Sequence, residues 1–84
     1  MFYVYILKSK KDGLCYIGST NDLKNRFKEH NNGSVFSTKA RRPFELIYYE
    51  AYKSDHDARK REKNLKLRSK AFAQLKQRIY ESLQ

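Results

Sequence analysis

Phe2-Tyr3-Val4-Tyr5-Ile6-Leu7-Lys8-Ser9 runs into Lys10-Lys11-Asp12-Gly13, and the chain then returns through Leu14-Cys15-Tyr16-Ile17-Gly18. The first segment is dense in aromatic and β-branched side chains, which fit a pleated surface, so it reads as a strand. Phe2, Val4 and Ile6 alternate with Tyr3, Tyr5 and Leu7, and both resulting faces are apolar. A strand covered on both faces belongs in the middle of its sheet. Asp12-Gly13 supplies residues that tolerate positive φ, which makes the connection a tight turn and the pair a hairpin. Gly18 is expected to end the second strand.

The rest of the chain builds outward from this hairpin. Ser19, Thr20, Asn21 and Asp22 form a cluster of N-cap candidates before a helix that should run to about His30. Leu23, Arg26, Phe27 and His30 fall at i, i+3, i+4 and i+7, which is one helical face. Asn31-Asn32-Gly33 stops it, and residues 34–43 form a polar, basic loop that ends at Pro43. Residues 44–52 read as a third strand. Ser54 is placed to cap a second helix carrying Ala58, Glu62 and Leu65 on one stripe. Ser69 is expected to cap a third, whose apolar stripe is Phe72, Leu75, Ile79 and Leu83. The order β-β-α-β-α-α predicts one α+β domain over residues 1–84, a three-stranded antiparallel sheet flanked by helices.

Composition narrows the partner. With 84 residues the chain buries about 60–65% of its unfolded surface, so the seven Tyr and five Phe must supply much of the core. The net charge is +10 and both halves share it: nine basic and three acidic residues lie in 1–42, ten and six in 43–84. A surface of this kind gathers polyanions and suits nucleic acid or an anionic membrane. The single Cys15 excludes an internal disulfide and a cysteine-based zinc site, and a core role suits it better than a reactive one. The apolar run at 2–7 is far too short to span a membrane, so the expectation is a cytoplasmic protein with no anchor.

Several polar residues stand where the pattern expects apolar ones. Arg26 and His30 share a face with Leu23 and Phe27, so each needs a partner or a ligand. Arg26 can cover the core with its stem and keep its charge in water, or it can bind an anion. Glu62 is the only acid between Arg59 and Lys70, among seven basic residues. It can pair with Lys66 at i+4, or it can hold a metal ion where a phosphate backbone arrives. Tyr5 and Tyr16 occupy the two arms of the hairpin.

On these residues the sequence resembles the GIY-YIG nuclease family. Tyr3-Val4-Tyr5 stands where the family has its first tripeptide, and Tyr16-Ile17-Gly18 reproduces the second. Arg26 and His30 follow Tyr16 by ten and fourteen residues, as in the family's active-site helix, and Glu62 matches its metal-holding acid. The resemblance extends from Phe2 to about Leu75 and is closest to small stand-alone members. Two departures stand out: the first tripeptide keeps only its Tyr, and no Asn occurs near Gln77, where many members carry one.

The resemblance implies a metal-dependent endonuclease acting on nucleic acid, DNA ahead of RNA, with no membrane partner and no small-molecule cofactor. Its catalytic set would be Tyr5, Tyr16, Arg26, His30 and Glu62. Glu62 would hold one Mg²⁺ (or Mn²⁺), since two-metal sites need several clustered carboxylates. Arg26 would fork onto the scissile phosphate, and Tyr5 or Tyr16 would activate water, with the choice between them open. Lys39, Arg41, Arg42, Arg59, Lys63 and Lys66 are the expected contacts to the nucleic-acid backbone. The competing readings are a nucleic-acid-binding module that keeps the fold without cleavage, and a basic protein- or membrane-surface binder.

Overall fold

The computed structural model describes residues 1–84. Strands β1 (Phe2–Ser9), β2 (Cys15–Thr20) and β3 (Phe44–Tyr52) form one antiparallel sheet in the order β2-β1-β3. Three helices accompany it: α1 (Leu23–Asn32), α2 (Asp55–Leu67) and α3 (Ser69–Arg78). The α+β architecture and the element order are those expected. So is the central place of β1, in which Val4 to Leu7 are buried without a break.

The two faces of β1 found two cores. Val4 and Ile6 pack with Ile17 against Ala58, Leu65 and Leu75 of α2 and α3. Tyr5 and Leu7 pack on the opposite face with Phe44, Leu46 and Tyr16, under Leu23 and Phe27 of α1. Each fully buried aliphatic or aromatic side chain contributes about 1.5–3 kcal/mol, so the alternation along β1 holds both layers of helices to the sheet. Asn31 ties the end of α1 to β3 by pairing with the Phe44 backbone as a strand would: Phe44 N–H donates to its Oδ1 at 2.7 Å, and its Nδ2 donates to the Phe44 carbonyl at 3.1 Å.

A bulge in β3 decides which face its side chains take. Ile6 pairs with Tyr48 but Leu7 pairs with Leu46, so Ile47 is an extra residue. Phe44 and Leu46 therefore join the α1 side, while Tyr48, Glu50 and Tyr52 lie on the α2 side. There Glu50 accepts a two-pronged contact from Arg61, Nε to Oε1 and Nη2 to Oε2, both at 3.1 Å, and the hydroxyls of Tyr48 and Tyr52 donate to the same carboxylate. Arg61 thus braces α2 to the sheet.

Three boundaries differ from those expected. β2 does not stop at Gly18 but pairs Gly18, Ser19 and Thr20 with Tyr5, Val4 and Tyr3. The glycine serves the ring beside it rather than a chain end. Ser69 is the first helical residue of α3 and not its cap. Arg68 alone separates α2 from α3, so no residue is left to turn a side chain onto the new helix. α3 ends at Arg78, and Leu83 sits in a separate 3-10 turn whose carbonyl accepts from Lys8 Nζ at 2.5 Å.

Ser54 is a true cap: its hydroxyl accepts from the Asp57 amide at 3.2 Å. Urea denaturation should therefore show Ser54→Ala losing about 1 kcal/mol, the usual value of such a cap. Ser69→Ala should stay within about 0.5 kcal/mol of the parent. Equal losses at the two serines would contradict the helix junction described.

Candidate active site

Four elements bring the five expected residues together. β1 supplies Tyr5, β2 Tyr16, α1 Arg26 and His30, and α2 Glu62. Tyr5, Tyr16 and His30 form an aromatic triangle, with ring centres 6.3 Å apart for the two tyrosines and 5.7 and 4.9 Å from His30 to Tyr5 and Tyr16. Gly18 makes the triangle possible. It lies opposite Tyr5 in the ladder, and a methyl group there would fall 2.4 Å from the Tyr5 hydroxyl oxygen. No side chain fits at that position unless the buried ring moves.

The Tyr5 hydroxyl is buried and needs a partner, which His30 provides. The oxygen lies 2.9 Å from His30 Nε2, and His30 Nδ1 lies 2.8 Å from the Thr38 hydroxyl. Thr38 donates onward to the Val35 carbonyl at 3.4 Å, so its oxygen is free to accept from Nδ1–H. With Thr38 donating to Val35, the contacts are consistent with a tautomer in which Nε2 carries no proton and accepts from Tyr5. Burial pushes the Tyr5 phenol up to about 12, with Arg26 opposing the rise. Burial, helped by the Arg26 charge, brings His30 down to about 4. Both groups are neutral near pH 7. The Tyr16 hydroxyl, by contrast, makes no hydrogen bond within the protein.

Glu62 and Arg26 face each other across an open cleft of about 660 Å³, lined also by Ser19, Asn25, Asp55 and Arg59. Ser19 Oγ donates to Glu62 Oε1 at 2.6 Å, and Lys66 Nζ donates to Oε2 at 2.7 Å. Partial burial works to raise the Glu62 pKa, but Lys66, Ser19 and Arg59 outweigh it and hold the carboxyl below its ordinary range. Lys66 also sits 6.0 Å from the centre of the Tyr16 ring. Arg26 makes one weak ion pair, to Glu29 at 3.4 Å, and also reaches the Tyr5 hydroxyl, with its remaining donors available to the cleft.

Ser19 and Thr38 are site residues that sequence reasoning left unmarked. Ser19 read only as a possible helix cap, yet Asp22 does that work by accepting from the Asn25 amide at 3.2 Å. Thr38 lay in a loop without periodicity. Its only signal was a small hydroxyl residue a few places beyond a buried histidine.

The expected backbone contacts divide. Lys39, Arg42, Arg59 and Lys63 are exposed, and Arg59 lines the cleft. Lys66 is committed to Glu62. Arg41 pairs with Asp12 at 2.9 Å, donates to the Leu14 carbonyl at 3.1 Å and lies over the Phe44 ring. It braces the hairpin to the loop, and its donors are largely used.

No three His, Cys, Asp or Glu side chains converge as a metal cage. The donor set is one carboxylate and the neighbouring Ser19 hydroxyl. That matches Mg²⁺, which keeps several waters and is satisfied with one or two carboxylates plus substrate oxygens.

Comparison with known proteins places the chain in a family. Residues 1–79 match the GIY-YIG catalytic domain. The chain belongs to the GIY-YIG family. Its relatives include UPF0213 proteins from Clostridium perfringens, 39% identical over 96% of this chain and 95% of the other, and from Staphylococcus saprophyticus, 43% identical over 76% and 78%. The solution NMR structure of a UPF0213 protein from Bacillus halodurans is similar, with a TM-score of 0.59 and 35% identity over 98% of this chain and 93% of that one. GIY-YIG membership implies a nuclease-type function on nucleic acid, and nucleases of this family generally use divalent metal ions. No helix of this GIY-YIG chain is long and apolar enough to cross a membrane.

His30 carries a pH signature. Its folded pKa of about 4 lies below the unfolded value of 6.5, so the unfolded chain binds the extra proton between those limits. Stability should be full above pH 6.5 and fall as pH drops towards 4, by an amount on the order of 2–3 kcal/mol. Urea titrations at pH 7.0, 6.0 and 5.0 should show the decline, and His30→Gln should flatten it. A parent whose stability is constant over that interval would mean that His30 is not buried neutral.

Proposed function

We propose that this chain is a metal-dependent endonuclease that hydrolyses nucleic-acid phosphodiester bonds, DNA ahead of RNA, in the cleft between α1 and α2. The observation that carries the reading is that the Tyr5–Tyr16–His30 triangle lies beside Arg26, which lines one cleft together with Glu62. Phosphodiester hydrolysis needs an activated water, relief of charge on the phosphoryl oxygens and a stabilised leaving oxygen.

Each part has a residue suited to it. Arg26, with donors to spare, forks onto the scissile phosphate as its charge grows. Glu62, steadied by Ser19, is the side chain that would hold Mg²⁺ or Mn²⁺. Bound there, the ion would neutralise charge on the phosphate and the leaving oxygen. The exposed cations Lys39, Arg42, Arg59 and Lys63 track the strand's phosphates.

The hydrogen bonds favour Tyr5 over Tyr16 as the base. A Tyr5 phenol at about 12 is ionised in only about one molecule in 10⁵ at pH 7, so a standing phenolate is not the base. The Tyr5–His30 hydrogen bond offers another route: Tyr5 takes the water's proton while passing its own to the bare Nε2 of His30. The incoming phosphate adds negative charge that favours the imidazolium so formed. Tyr16, with its hydroxyl free, positions the water or a phosphoryl oxygen.

One observation favours the second reading, a binding module without cleavage. Lys66 already occupies one oxygen of Glu62, and a Glu–Lys pair four residues apart on a helix needs no metal.

Incubating the parent with DNA and RNA, with and without Mg²⁺ or Mn²⁺, separates the two. Cleavage should require the ion. Glu62→Gln should abolish cleavage yet leave metal-free binding equal or tighter, since it removes a negative charge from the site. Parent cleavage that survives Glu62→Gln would overturn the metal assignment, and a parent that binds without ever cleaving would leave the binding module.

Arg26→Lys keeps the charge but loses the fork. Its cleavage rate should drop by about 10²–10³-fold, as for loss of a transition-state donor. A Lys variant that cleaves at the parent rate would make Arg26 a structural residue.

A further inference from the structure

Phe36 is 94% exposed, whereas the other exposed large apolar side chains lie between 53% and 71%. Its backbone is nevertheless fastened on both sides. Val35 before it is 9% exposed and Thr38 beyond it 1%. The Thr38 amide donates to the Val35 carbonyl at 3.1 Å and closes a turn over Phe36 and Ser37. The Ser34 amide donates to the Glu29 carbonyl at 3.0 Å, which holds the turn to the end of α1. A large ring therefore stands in solvent on a well-held support.

That support is part of the candidate site. The Thr38 hydroxyl is bonded to His30, which is bonded to Tyr5. Two residues of chain span at most about 7 Å, so the Phe36 backbone lies within that distance of Thr38. The exposed cations Lys39 and Arg42 follow directly in the chain. One helical turn separates His30 from Arg26, so the Phe36 backbone stands on the order of 20 Å at most from that of Arg26, a span of about six nucleotides at about 3.4 Å each.

Resting on the endonuclease reading above, we propose that Phe36 is a base-stacking residue, whose ring packs on a nucleobase a few positions along the strand from the phosphate held at Arg26 and Glu62. Every base presents a flat π face, so one exposed aromatic beside a phosphate-tracking surface suffices, and stacking of this kind is tolerant of sequence. A protein partner would need a contiguous apolar patch, but the neighbours Ser34 and Ser37 are polar. A lipid surface would need a broad apolar face, and the turn offers one ring.

The chain contains no Trp, so Phe36→Trp places a single indole reporter at the site. Titrated in EDTA with an oligodeoxynucleotide, its emission should be quenched along the binding curve. The same backbone with abasic positions should bind through its phosphates but quench little. Phe36→Ala should weaken oligonucleotide binding about tenfold, the size of one lost base–aromatic stack. The slope of log K against log salt should not change, because no phosphate contact is removed.

Binding with full salt dependence but no quenching, or a Phe36→Ala affinity equal to the parent's, overturns the stacking role and leaves the nuclease reading intact. Failure of the parent to bind any oligonucleotide overturns both. A blue-shifted Phe36→Trp emission with phosphatidylserine vesicles, and none of these changes with oligonucleotide, overturns the proposal in favour of a membrane contact.

Discussion

A buried phenol must hydrogen-bond, and much of this molecule follows from where Tyr5 finds its partner. The ring lies at the centre of the sheet, 1% exposed, on the face that α1 covers. A hydroxyl left unpaired there would cost about 1–3 kcal/mol, and His30 removes that cost. His30 in turn is 0% exposed and needs a partner for its second nitrogen, which brings in Thr38 and with it the loop after α1. Gly18 leaves the space in which the ring can lie. One polar group thus sets the residue across the ladder, the position of α1 and the course of the following loop.

The bulge at Ile47 performs a second separation. Simple alternation would put Phe44, Leu46, Tyr48, Glu50 and Tyr52 on one face. With the extra residue, the first two fill the α1 core and the other three form the network around Glu50 and Arg61. That network is closed, since the carboxylate receives Arg61 and two tyrosine hydroxyls. Glu62 is one residue beyond Arg61 on α2. The Arg61 brace therefore fixes the helix that carries Glu62 to the cleft.

Charge is distributed against the net balance. The chain carries +10, yet Asp22, Glu29, Asp55 and Glu62 all line the cleft. Anionic walls would repel a phosphate backbone, and three cations temper them: Arg26 faces Glu29, Arg59 pairs with Asp55 at 3.1 Å, and Lys66 pairs with Glu62. These are i,i+3 or i,i+4 pairs on helices and are worth about 0.3–0.5 kcal/mol each, so little is lost when a substrate or cation replaces one. The surrounding positive field favours a polyanion, while the cleft itself keeps acidic side chains. The two tendencies do not conflict because they act at different ranges.

The sequence alone determined what depends on periodicity and local chemistry. Both apolar faces of β1, the Asp12-Gly13 hairpin, the shared face of Arg26 and His30 on α1, and the Ser54 cap follow from spacings of two, three and four residues. Because such spacings are set by strand and helix geometry, Tyr5, Tyr16, Arg26, His30 and Glu62 could be named together with the elements that carry them. What pairs across the chain was left to tertiary structure. Thr38 joins His30 over eight residues, Ser19 joins Glu62 over forty-three, and Arg61 joins Glu50 over eleven. No local pattern encodes these contacts, and each exists because packing brought a buried polar group within reach of the one atom able to satisfy it. The difference between Tyr5 and Tyr16 was equally hidden, since both are tyrosines on paired strands. Only burial and the His30 nitrogen distinguish them: the Tyr5 hydroxyl is drawn into the core against His30, and the Tyr16 hydroxyl is left without a partner in the protein.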